Sequence, residues 1–67
     1  MADIDNTTRA DWASKGLETY CEIVPTDSDA VVQDFLCDLM HYCDQKEIPF
    51  YERLDTATMM YVNELNQ

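Results

Sequence analysis

Val31-Val32-Gln33-Asp34-Phe35-Leu36-Cys37-Asp38-Leu39-Met40-His41-Tyr42-Cys43-Asp44-Gln45 divides into an apolar side and an acidic side. Val31, Val32, Phe35, Leu36, Leu39, Tyr42 and Cys43 recur at spacings of three and four, the period of a helix. At ~100° per residue, Asp34, Cys37, Asp38, His41, Asp44 and Gln45 fall on the opposite side. The pattern predicts a helix that packs on one face and shows acid on the other. Thr26 and Asp27, or Ser28, are the expected caps, because their side-chain oxygens accept from orphan N–H groups one turn on. Asp27 and Asp29 suit the positive end of the helix dipole, and Lys46 suits the negative end.

On the N-terminal side, Pro25 marks a boundary, since it disfavours helical geometry at Val24 and lacks an N–H. Before it, Ala10, Ala13, Leu17, Tyr20, Cys21 and Val24 share one face of a second predicted helix. Asn6, Thr7 or Thr8 is the expected cap, and Met1 to Asn6 reads as a frayed polar lead-in. Gly16 and Trp12 lie beside the stripe. A helix-interior glycine costs about 1 kcal/mol relative to alanine, so Gly16 suggests close approach of a neighbouring helix. On the C-terminal side, Pro49 is a natural first-turn residue of a third helix. Phe50, Leu54, Ala57, Tyr61 and Leu65 line one face of it, widened by Tyr51, Thr58 and Val62, while Met59 and Met60 fall away from its centre. Three helices with short proline-marked connections predict an all-α fold, a compact bundle of three helices. Trp12, Leu17, Tyr20, Phe35, Leu39, Leu54 and Tyr61 are its expected core.

Sixty-seven residues suggest a single domain over 1–67 with a marginal core. A scaffold of this size usually needs a further staple. Three cysteines, Cys21, Cys37 and Cys43, are an odd number without the dense spacing of a disulfide scaffold. A homodimer is therefore one candidate for the staple. No basic segment leads into an apolar stretch at the N-terminus, and no apolar run approaches the ~20 residues of a membrane span. The expectation is a cytoplasmic protein with free thiols. Fourteen acidic residues against four basic ones give a net charge of −10. Such a chain repels nucleic acid and anionic membrane, which need Lys and Arg, and is steered instead to a basic protein. Disorder competes as an account of the charge, but 46% hydrophobic residues at helical spacing argue for a folded chain.

The segment Phe35 to Asp44, with Ile48 and Phe50, resembles small proteins carried by phages and other mobile elements. They share a pattern like Asp-Leu-Met-His-aromatic-Cys-Asp, here Asp38 to Asp44. The resemblance covers roughly the second half of the chain. It carries no catalytic motif and implies a genetic setting rather than a reaction. In size and acidity the chain is also similar to anti-CRISPR and anti-restriction proteins that imitate DNA.

Three constellations compete for function. Asp34, Cys37, His41 and Asp44 line up along one helix, and Cys37 with His41 one turn apart is a conceivable metal pair. Nothing elsewhere supplies the other half of a four-ligand site, so no metal or other cofactor is expected. Cys37 is crowded by carboxylates that disfavour its thiolate. The carboxylate pairs Glu18/Glu22 and Glu52/Asp55 have no cationic cluster beside them to hold phosphates. No catalytic residues, and no enzyme, are therefore expected. The third constellation is the acidic row itself. Asp34 to Asp38 advances ~6 Å and Asp38 to Asp44 ~9 Å along a helix, of the order of neighbouring phosphates on one DNA strand. With Asp27 and Glu47, these residues are the expected binding surface of a DNA-mimicking inhibitor of a basic, nucleic-acid-handling protein. The alternative is an acidic adaptor or homodimerising helical module with an apolar surface at Met59, Met60, Tyr61 and Trp12.

Overall fold

The structure is a computed structural model that describes residues 5–66. Of the expected frayed lead-in, residues 1–4 lie outside the described residues, and Asn6 is already helical. The three predicted helices are all present: α1 spans Asn6–Ile23, α2 spans Val31–Gln45 and α3 spans Phe50–Leu65. Among the described residues there is no strand, and the fold is all-α.

Each helix end has a local cause. The cap of α1 is Asp5, one residue before the expected Asn6, Thr7 or Thr8. Its carboxylate accepts the Thr8 backbone N–H at 2.8 Å. A carboxylate at this position both satisfies an orphan donor and opposes the positive end of the dipole, which a hydroxyl does not. That hydrogen bond is the main reason the Asp5 carboxyl lies below the ordinary value of 3.8. At the other end Val24 is extended and donates to Tyr20 O at 2.9 Å, as the proline that follows requires.

Helix α2 starts later than the caps Thr26, Asp27 or Ser28 imply. Ala30 N donates to Asp27 O at 2.9 Å, closing a turn, and the first helical bond runs from Asp34 N to Ala30 O at 3.0 Å. Ala30 therefore holds the position before the helix, and the polar residues ahead of it belong to the turn. The C-terminus of α2 closes with paired bonds, Ile48 N to Cys43 O at 2.9 Å and Glu47 N to Asp44 O at 3.3 Å. This is the Schellman arrangement, with Glu47 at the left-handed position at φ 58°. Pro49 precedes α3 as its cap rather than entering the first turn. Its carbonyl accepts from Arg53 N at 3.1 Å, and Glu52 supplies the first-turn negative charge.

Contacts divide the chain into two units, one reaching to Cys37 and one beginning at Asp38. In the first, α1 faces the N-terminal part of α2, and Tyr20 meets Phe35 edge to face, with ring centres 5.1 Å apart at 77°. In the second, the rest of α2 turns through the Schellman closure into α3. There Cys43, 5% exposed, is the one residue buried among those described. Phe50 contacts Tyr51 edge to face at 5.5 Å.

The expected core is correspondingly thin. Leu17, Tyr20 and Leu39 are half-buried, whereas Trp12, Phe35, Leu54 and Tyr61 are exposed. The reason is geometric. Each apolar stripe is about 100° wide or more, and a single packed neighbour covers only a narrow line of it.

Candidate protein-binding surface

The carboxylates singled out by sequence do not share one environment. Asp38 and Asp44 are exposed on α2, and Glu47 is exposed just beyond its end. Their spacing follows from the uninterrupted helix, so Asp38 and Asp44 stand ~9 Å apart along its axis. Asp34 is different. It is half-buried and accepts a hydrogen bond from the Thr26 hydroxyl, eight residues earlier in the chain. Pro25, Thr26, Asp27, Ala30 and Asp34 line one shallow depression of about 440 Å³. The fold thus brings exposed Asp27 beside Asp34 and gives Asp34 a structural tie to the connection between α1 and α2. Sequence reading missed this tie because Thr26 looked like a helix cap.

Cys37 and His41 are exposed on α2, and the three thiols are free, with Cys21 and Cys37 exposed and Cys43 buried. No three His, Cys, Asp or Glu side chains are placed to share a metal ion among the described residues. Glu18, Glu22, Glu52 and Asp55 are all exposed. No helix among the described residues is long and apolar enough to cross a membrane.

The apolar surface is more extensive than the sequence reading allowed. In the first unit, Ala13, Gly16, Leu17, Val32, Phe35 and Leu36 line a groove of about 250 Å³. Gly16 lies open on it, because a methyl group built there would meet no atom within 4 Å. The close helix approach that Gly16 suggested is therefore not made among the described residues. In the second unit, Met59 and Met60 are both exposed, and so are Tyr51, Leu54, Tyr61, Val62 and Leu65. Helical spacing already put these five on one face, but the sequence held no signal that the face would stay open. Compared with protein-family models, curated proteins and solved structures, the chain matches none.

Proposed function

We propose that the chain is a non-enzymatic inhibitor or regulator, of the kind borne by phages or other mobile elements, that docks on a basic, nucleic-acid-handling protein. The carboxylates of α2 take the place of phosphates in the partner's groove. The observation that carries this reading is the exposure of Asp38, Asp44 and Glu47 on a chain of net charge −10. Asp27 and Asp34 extend the row at the start of α2, with Asp34 anchored by Thr26. Charge of one sign on a small rigid element steers a basic partner and excludes nucleic acid from direct binding. The partner is then cytoplasmic, in the host cell where these elements reside.

The test is retention from cell lysate on the immobilised chain. Proteins retained at low salt should be released steeply by added salt and displaced by duplex DNA, because they use a phosphate-binding groove. Replacing Asp34, Asp38 and Asp44 together with Asn removes three charges at nearly constant shape. Exposed pairs are individually worth ~0–1 kcal/mol, whereas a row desolvated in a basic groove is worth several times more. The triple variant should keep its helical spectrum and lose those proteins. Unchanged retention in the variant would overturn the reading.

A second reading is favoured by the exposure of Met59, Met60, Tyr61 and Trp12. An adaptor or dimerising module would use that apolar surface, and its contacts would resist salt.

A further inference from the structure

Helix α3 carries an open seam with the spacing of a helix pair. Tyr51, Leu54, Thr58, Tyr61 and Leu65 follow one another at intervals of three, four, three and four. This is the a/d alternation by which one helix packs along another. Among the described residues the seam is open: Tyr51 is 69% exposed, Leu54 43%, Tyr61 60% and Leu65 56%. Thr58 does not spoil it. Its hydroxyl donates to Leu54 O one turn back at 2.8 Å, so the polar atom is satisfied before anything covers it. Met59 and Met60 lie off this line.

We propose that the occupant of this seam is the α3 helix of a second copy of the chain, packed antiparallel. Three features of α3 select it. In an antiparallel pair, a positions meet d positions, which puts Leu54 opposite Leu65 of the second copy and Thr58 opposite its Tyr61. Large then faces small in the inner layers and leucine faces leucine in the outer ones. A parallel pair would instead oppose each tyrosine to its own copy. Charge agrees. The residues flanking the seam are Asp55 and Val62 on one side and Ala57 and Glu64 on the other. Antiparallel packing sets Asp55 against Val62 of the second copy, and Glu64 against its Ala57, so no carboxylate meets a carboxylate. Within α3 a basic helix would find only these two carboxylates beside the seam, since Glu52 falls on the far side of the helix.

The area sets the strength. With each aromatic ring side chain offering ~150–250 Å² when fully open, the seam presents on the order of 400–500 Å². A standard stable interface takes ~800 Å² from each partner. The dimer is therefore weak and reversible. Each copy also carries −10, so association is opposed by long-range repulsion that salt removes. This proposal does not rest on the carboxylate reading, and the two predict opposite effects of salt.

Sedimentation equilibrium on the full chain, in reducing buffer to keep exposed Cys21 and Cys37 from cross-linking, is the test. The mass should rise from 7.8 kDa toward twice that value with concentration. Between ~0.1 M and ~1 M salt, as the Debye length falls from about 10 Å to about 3 Å, association should tighten severalfold. Substituting Leu54→Ala, Tyr61→Ala and Leu65→Ala together introduces the best helix former at each position, so the helical spectrum should persist while the dimer is lost. Leu65→Ala alone, in the last turn, should weaken the dimer in the same direction and covers any loss of folding in the triple variant. Met60→Ala lies off the seam and should change little. A monomer at every concentration in high salt would overturn the proposal, as would a dimer indifferent to the triple substitution or one lost equally on Met60→Ala.

Discussion

Glu47 holds a backbone conformation that a glycine would adopt without cost. At φ 58° its Cβ crowds the following carbonyl, a penalty of ~1–2 kcal/mol for a residue with a side chain. The Schellman closure tolerates it because two backbone bonds, Ile48 N to Cys43 O and Glu47 N to Asp44 O, hold the turn in place. Glu47→Gly should therefore stabilise the chain by about 1 kcal/mol, raising the thermal midpoint by ~4–8 °C for a protein of this size. Thermal unfolding followed by circular dichroism measures it, and a lowered midpoint would mean that the side chain contributes more than its backbone costs. If Glu47 also meets a basic partner, as proposed, the same substitution weakens binding while it strengthens the fold.

At the scale of the element, α1 shows how legible a helix is and how little its legibility says about its neighbours. Its span, its end at Pro25 and its apolar stripe all followed from spacing. Its exposed Cys21 did not, because a stripe states which residues share a face and not whether a second helix covers it. Gly16 makes the point testable. Nothing within 4 Å would meet an added methyl group, so Gly16→Ala should gain the helix-propensity difference of about 1 kcal/mol with no steric loss. The midpoint should rise by a few degrees, again read by thermal unfolding. A fall would show that another helix packs against Gly16 in solution. Helix α2 carries the complementary lesson. Its acidic side was readable, yet the pairing of Asp34 with Thr26 was not, since it spans eight residues through a turn whose geometry no periodicity encodes.

For the whole molecule, the net charge of −10 is the dominant long-range term. A large net charge of one sign destabilises a compact chain through self-repulsion, and salt screens it. Raising salt from ~0.1 M to ~1 M at low protein concentration should therefore raise the thermal midpoint, and should do so less for a variant with Asp38→Asn and Asp44→Asn. A midpoint that falls with salt would mean that favourable ion pairs outweigh the repulsion. Low concentration matters because the proposed α3 pairing would add its own salt-dependent stability.

Sequence alone determined that the chain is all-α, with three helices, proline-marked connections and a sharply acidic side on α2. These properties depend on residues within a turn or two of one another, where spacing, caps and φ restrictions act directly. Only the tertiary structure decided that Ala30 rather than Thr26 precedes α2, that Asp34 is tied to Thr26, and that the α3 seam stays open. It also decided that, among the described residues, Cys43 alone is buried. Burial is a property of how many neighbours surround a side chain, and a period of three and four residues fixes the face but not the neighbours.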